Sequence, residues 1–314
     1  MHILKCAVIG SINMDMVVRV DRFPKPGETR TGDRFSVVPG GKGANQAVAL
    51  GKLGGQVAMA GCVGRDASGE TYRKNFAENG VDTRWVETAE NCTTGTAVIE
   101  VERAGENHII VVPGANEACD EAWLERTLPG LMDRDIFLLQ LEIPRETVFT
   151  AVKKLHAAGK TVVLDPAPAV PVPDEVLACV DYITPNETEL RIVTADLPEN
   201  ADAAERMAHL LAKGVKHVIA KTGAGGADVL SLEGAFHAAG FRVTPVDTTA
   251  AGDTFNAGLA RALSEGLPLA DCLAFANASA AISVTGAGAQ GGMPNCDQVL
   301  NFLKERGYHE LHLS

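Results

Sequence analysis

Asp247-Thr-Thr-Ala-Ala-Gly-Asp253-Thr-Phe-Asn-Ala-Gly258 is the stretch on which the reading of this chain turns. Three small residues, Ala250, Ala251 and Gly252, lead into one acid, Asp253, and then into helix-spaced Phe255, Leu259 and Leu263. A helix that opens on residues this small leaves its first backbone N–H groups bare, and such groups attract an anion. A carboxylate beside that cradle would repel a phosphate, so its presence asks for a chemical role. Proton abstraction supplies one: Asp253 takes the proton of an alcohol while the cradle holds the phosphoryl group that the alcohol attacks. The competing reading is a helix N-cap, a position that Asp favours.

Working outward, apolar runs of strand length alternate with helix-period segments. Strands are predicted over residues 6–10, 57–62, 136–141, 161–164, 182–184 and 215–221, and helices over 44–53, 146–158, 203–212 and 269–285. This alternation predicts an α/β fold, a mostly parallel sheet with helices on both faces. In such sheets ligands sit beyond the carboxyl ends of the strands. Asn13, Asp15, Glu142 and Asn186 all follow predicted strands and fall at that edge. Two segments read instead as hairpins, 14–20 with 34–38 and 94–102 with 108–112, joined by turn residues such as Pro24, Gly27 and Gly105. The expectation is one domain over 1–314 with a small β-sheet lid from inserted segments at about 13–38 and 94–112.

A chain of 314 residues with 46% hydrophobic and 22% charged residues has the composition of a globular protein. Its net charge of −12 and the lack of any Lys/Arg block argue against a nucleic-acid or anionic-membrane surface. The seven cysteines are scattered and form no Cys-x-x-Cys, which predicts reduced thiols rather than a disulfide or zinc framework. No signal-peptide pattern or membrane-span-length run is present, and the expectation is a cytoplasmic protein.

Three further segments carry chemistry. In Pro39-Gly-Gly-Lys-Gly-Ala-Asn-Gln-Ala47 the glycines permit close backbone approach, while Lys42 and Asn45 offer groups for sugar hydroxyls. A plain strand-to-helix turn is the alternative. Pro185-Asn-Glu-Thr-Glu189 places Asn186 and Glu189 on one face of a first helical turn, a spacing suited to hydrated magnesium or to simple capping. Lys221-Thr-Gly-Ala-Gly-Gly226 follows a strand and is glycine-rich enough to lie against a nucleotide. It is not a dinucleotide fingerprint, because its third glycine would fall on Asp228. Gly159-Lys160-Thr161 imitates the end of a Walker A loop but lies between a helix and a strand, the reverse of the required order.

With Gly10-Ser-Ile-Asn-Met-Asp15, Leu141-Glu142 and Asp165-Pro-Ala-Pro168, these motifs stand in the order and spacing of a known family. Over nearly its whole length the chain resembles the ribokinase-like (PfkB) carbohydrate kinases. The resemblance implies sugar binding by Asn13, Asp15, Gly41, Lys42, Asn45 and Glu142, with Asp253 as base. It implies an anion hole from the amides of Ala250, Ala251, Gly252 and Asp253. ATP would face Asn186, Thr222, Gly223, Ala224, Gly225, Gly226, Ala227, Gly252 and Asn277, with magnesium ordered through water by Asn186 and Glu189. An activating potassium ion would lie at Asp247, Thr249, Ser283, Gly286, Gly288 and Gly292. The chain departs from the family pattern at Thr285-Gly-Ala-Gly288, where a basic residue is frequent, and at Gly291-Gly292, where serine is.

The implied activity is ATP-dependent phosphorylation of a small sugar, D-ribose giving ribose 5-phosphate, by a homodimer clasped through the lid. Another acceptor (deoxyribose, a ketose, a nucleoside) and a non-catalytic sugar sensor are the alternatives.

Overall fold

Short β-branched and apolar runs pair into two sheets in the computed structural model, which describes residues 4–309, 311 and 313. The strands are β1 (Cys6–Ile9), β2 (Asn13–Val20), β3 (Arg34–Gly40), β4 (Val57–Gly64), β5 (Asp82–Ala89), β6 (Gly95–Glu102) and β7 (Asn107–Val112). They continue as β8 (Ile136–Leu139), β9 (Thr161–Leu164), β10 (Tyr182–Ile183), β11 (His217–Lys221), β12 (Gly226–Ser231) and β13 (Gly234–Ala239). The helices are α1 (Lys42–Lys52), α2 (Ala67–Glu78), α3 (Glu121–Thr127), α4 (Arg145–Ala157) and α5 (Asp174–Leu177). They are followed by α6 (Glu187–Val193), α7 (Ala203–Ala212), α8 (Ala251–Ser264), α9 (Leu269–Ser283) and α10 (Cys296–Lys304).

Nine strands form the main sheet in the order β13-β12-β11-β10-β9-β8-β1-β4-β5. Pairing is parallel from β11 through to β5, and the edge strands β12 and β13 run antiparallel. Residues of β1 alternate between two cores, Cys6 and Val8 on one face, Ala7 and Ile9 on the other. That is the pattern of a strand buried on both sides, and it explains why these runs read as continuously apolar. The second sheet has the order β3-β2-β6-β7. The two expected hairpins are both present, and they join through a parallel β2–β6 pairing that nothing in either segment announced.

Several predicted boundaries move for local reasons. The strand predicted to reach residue 141 ends at Leu139, because the Leu141 amide leaves the ladder and bonds to Ala167 O at 2.9 Å. The 44–53 helix begins at Lys42, since Gly41 at φ 85° turns the chain into it. The 269–285 helix stops at Ser283, and the strand predicted from 215 begins at His217. Lys160, of the Walker-like sequence, bonds to Met132 O in the turn between α4 and β9.

Helices α8 and α9 pack closely because Gly258 lacks a side chain: a Cβ there would lie 2.9 Å from Ala276 Cα. Gly258→Val is expected to cost about 1–3 kcal/mol by overpacking. Urea denaturation measures it, and an unchanged midpoint would contradict the close approach.

Candidate active site

The site is assembled by docking α1 on the end of β1. Gly43 allows it: a Cβ there would meet Gly10 C and Ser11 N, each at 2.6 Å. The Ala44 amide bonds to Ser11 O at 2.8 Å, and Gly41 takes a positive φ that other residues avoid. The Gly-rich segment is therefore a docking turn, and its result is to project Asn45 and Gln46 toward the first turn of α8.

There they meet Asp253. Asn45 Nδ2 donates to Asp253 Oδ2 at 2.9 Å, and Gln46 Nε2 donates to Oδ1 at 3.2 Å. Asp253 is not the N-cap of α8. That position is Ala250, in the left-handed conformation at φ 61° and with no side-chain cap. Burial pushes the Asp253 carboxyl up to about 6, with Lys42 opposing, Asp165 assisting, and the Asn45 and Gln46 hydrogen bonds pulling it down. The predicted four-amide anion hole is modified: the Ala251 amide turns back onto Thr248 O at 3.3 Å. The first helical bond runs from the Thr254 amide to Ala250 O, so the Gly252 and Asp253 amides stand ahead of it at the open end.

On the sugar side, Asn13 and Asp15 lie in β2 itself rather than in a turn. Asn13 Oδ1 accepts from Asn116 Nδ2 at 2.7 Å, and Glu142 Oε2 accepts from Ser11 Oγ and the Lys42 amide at 2.5 and 3.0 Å. Burial pushes Asp15 up to about 7, reinforced by the charges of Glu142 and Asp253, so the three carboxyls share one neighbourhood. Asn45 Oδ1 accepts from Gln290 while Nδ2 donates to Asp253, so both ends of its amide have partners within the protein.

Asp253 opens onto a cavity of about 620 Å³. Lys42, Asn186, Glu189, Gly223, Ala224, Gly226, Ala250, Ala251, Gly252 and Asn277 line it. Thr222, Gly225 and Ala227 do not line that space, and nor do Asn13, Asp15, Gly41, Asn45 and Glu142. Ala227 is fully buried in the core, so its expected contact with nucleotide is corrected to packing. The Gly225 carbonyl accepts from the Gly240 amide and ties the loop to the end of β13. Asn277 Nδ2 donates to Ala238 O and Ala239 O, anchoring that same strand end.

Asn186 and Glu189 form a capping box, each side chain bonded to the other's amide. The capping alternative is thus realised, with Glu189 still on the cavity wall. Burial raises the Glu189 carboxyl, Lys221 lowers it and Asp165 raises it again. Around the last segment, Asp247 accepts from the Thr249 and Gly288 amides, both at 2.9 Å. Gly286 and Gly292 pack backbone to backbone, a Cβ on Gly286 falling 2.5 Å from Gly292 Cα. The residues expected around potassium come from two segments, 247–249 before α8 and 283–292 at and beyond the end of α9, joined by the Gly288–Asp247 hydrogen bond. Among the described residues no cluster of three or more His, Cys, Asp or Glu side chains could hold a metal ion.

Sequence reasoning missed several members. Asp165 Oδ1 pairs with Lys221 Nζ at 3.0 Å and its Oδ2 accepts from Gln46. Lys221 Nζ lies against the start of α8, 3.4 Å from where a Gly252 Cβ would stand. Both residues fell inside quoted motifs, and their places just after β9 and at the end of β11 were the available signal. Phe241, Arg242, Val243 and Pro245 line the cavity from a segment with no motif at all. Lys42 carries the opposite lesson to its sugar assignment, because it faces both sides. Burial pulls its ammonium down, but Asp253, Asp165, Glu142 and Glu189 outweigh that and hold it above the ordinary lysine value.

Comparison with known proteins bears directly on this geometry. Residues 4–296 match the pfkB family carbohydrate kinase model. A ribokinase of Bacillus subtilis is 43% identical over 296 residues, 94% of this chain and 98% of the relative. One from Haemophilus influenzae is 41% identical over 298 residues, 95% of this chain and 97% of the relative. The structure of an Arabidopsis thaliana ribokinase complexed with ribose and ATP superposes with a TM-score of 0.90 at 35% identity, covering 96% of this chain and 99% of the other. By sequence over nearly its full length and by fold, this chain belongs to the pfkB family of carbohydrate kinases.

Proposed function

We propose that this protein transfers the γ-phosphoryl group of ATP to the primary hydroxyl of D-ribose, giving ribose 5-phosphate. One observation carries the reading: a buried carboxylate, Asp253, is held by two side-chain amides at the opening turn of a helix and faces a cavity of about 620 Å³. Full-length relatives that are ribokinases, one of them complexed with ribose and ATP, support the choice of substrates.

The sugar lies between Asp15, Asn13 and Glu142 with its hydroxyl against Asp253. That carboxylate takes the hydroxyl proton as the sugar oxygen bonds to the γ-phosphorus, and the bond to the β–γ bridging oxygen breaks to release ADP. The Gly252 and Asp253 amides, with Lys42 and Lys221, face the charge gathering on the transferred group. Positioning and electrostatics supply most of the acceleration. The nucleotide runs along Gly223, Ala224 and Gly226 toward Asn277.

The hard oxygen donors of Asn186 and Glu189 on the cavity wall fit a magnesium ion that keeps its waters, and they would hold it there to offset phosphate charge. The two segments joined at Asp247 fit a potassium ion taken up through Asp247 and the carbonyls of Thr249, Ser283, Gly286, Gly288 and Gly292. Seven free thiols and the use of ATP support a cytoplasmic location. No described helix is long and apolar enough to cross a membrane. The lid sheet exposes Phe35, Val37, Ile110 and Val112, which its register puts on one face, an apolar surface suited to a second copy of the same sheet.

Four measurements test this. Asp253→Asn should lower kcat by about 10²–10⁴-fold, the share of a general base, while calorimetry shows ribose binding within a few-fold of wild type; near-normal turnover removes the base. In wild type, the carboxyl at about 6 is ionised above that pH, so kcat should fall as the pH drops through it. A coupled assay over ribose, deoxyribose, ketoses and nucleosides, with and without potassium, should show the highest kcat/KM for ribose, and a better acceptor would reassign the substrate. Ile110→Lys should yield monomers in sedimentation velocity, and an unchanged dimer would move the interface elsewhere.

A further inference from the structure

The hydrogen bonds around Asp253 continue outward with a fixed direction. Gln290, buried in the loop between Gly288 and Gly292, donates from Nε2 to Asn45 Oδ1 at 3.0 Å and to Tyr72 Oη at 3.3 Å. Its Oε1 accepts from Asn75 Nδ2 at 2.8 Å, and Lys52 Nζ donates to its backbone carbonyl at 2.7 Å. Tyr72, fully buried on α2, donates its hydroxyl proton to Gly40 O at the end of β3. A carbonyl can only accept, and this one therefore sets the polarity of everything behind it. Tyr72 spends its single proton on Gly40, so its oxygen must accept from Gln290 Nε2. That turns the same nitrogen toward Asn45, whose Oδ1 must accept in turn. Asn45 Nδ2 is left facing Asp253 Oδ2.

We propose that Gln290, backed by Tyr72, is a positioning residue for phosphoryl transfer, locking the Asn45 amide so that it can only donate to the base. This rests on Asp253 being that base. Neither residue touches the cavity, and their effect passes through Asn45 alone. Burial, with the charge of Asp15 assisting, holds the Tyr72 hydroxyl well above its ordinary range, so it stays a donor throughout the working pH range. Without Gln290, the Asn45 amide can turn over and present Oδ1 to Asp253. Two acceptors then face each other, which favours the protonated and inactive acid.

The other charged groups around Asp253 are Lys42 on α1, Asp165 behind β9 with its partner Lys221 on β11, and Asp15 on β2. Glu142 and Glu189 act on Lys42. None of these is altered by the substitutions below, so a displaced titration reports on the Asn45 amide.

The test is kcat against pH for the full chain, with ribose and ATP saturating, in wild type, Gln290→Met, Tyr72→Phe and Asp253→Asn. Gln290→Met removes both donors without adding charge. Its acidic limb should move up from about 6 by roughly one unit, an approximately fivefold loss at about pH 6 that grows toward about tenfold at lower pH and closes by about pH 8. Tyr72→Phe should shift the limb the same way by less, and it decides the matter if the methionine variant does not fold. Limbs coincident with wild type, or a loss by the same factor at every pH, would overturn the role of Gln290 while an inactive Asp253→Asn leaves the base standing. Near-normal turnover in Asp253→Asn would instead remove the base, and this inference with it.

Discussion

Keeping one carboxylate ionised in a place where water is scarce is the constraint that the rest of the structure serves. Asp253 is almost wholly buried, and burial alone drives its carboxyl toward the neutral acid. Two side-chain amides and the nearby Lys42 ammonium oppose that drive. The balance leaves the carboxyl at about 6, still ionised at neutral pH. Each of the opposing groups comes from α1. The angle at which that helix meets β1 therefore matters more than any single contact, and two glycines without side chains fix it.

Charge is distributed around the base with the same economy. A chain of net charge −12 has to attract a nucleotide, and it does so locally. Lys42 and Lys221 sit on the cavity wall against Asp165, Asp253 and Glu189, so that neither sign prevails before substrates arrive. The Asp165–Lys221 pair is buried and also hydrogen-bonded through Gln46, which gives a desolvated ion pair the additional partners it needs. Gln46 thus holds two carboxylates with one amide, tying the Asp165–Lys221 pair to Asp253.

The two sheets divide the work. Parallel strands of the main sheet lead, within three residues of their ends, to Ser11, Gln140, Asp165, Asn186 and Lys221, which form one rim. The second sheet begins with Asn13 and Asp15 on β2, so it carries polar groups into the neighbourhood of Glu142 and Asp253. Gly40, at the end of β3, meets both Asp15 and the Tyr72 hydroxyl, and the lid is in this way joined to the polar network under the site.

Much of this was legible in the amino-acid order alone. Alternating apolar runs and helix periods dictated a parallel α/β sheet, because a strand buried on both faces must be apolar throughout. The hairpin segments announced a separate small sheet, and the small residues before Asp253 announced a bare helix start. Only the tertiary structure decided who touches whom. Gln46 and Asp253 lie 207 positions apart and Gln290 and Asn45 lie 245 apart, and no local period carries such a pairing. It also decided that Ala227 packs in the core, that the Ala251 amide is taken by Thr248, and that Asn45 donates to Asp253 from one end of its amide and accepts from Gln290 at the other. Periodicity reports which side of an element is buried, whereas the direction of a hydrogen bond depends on every partner reached through the fold.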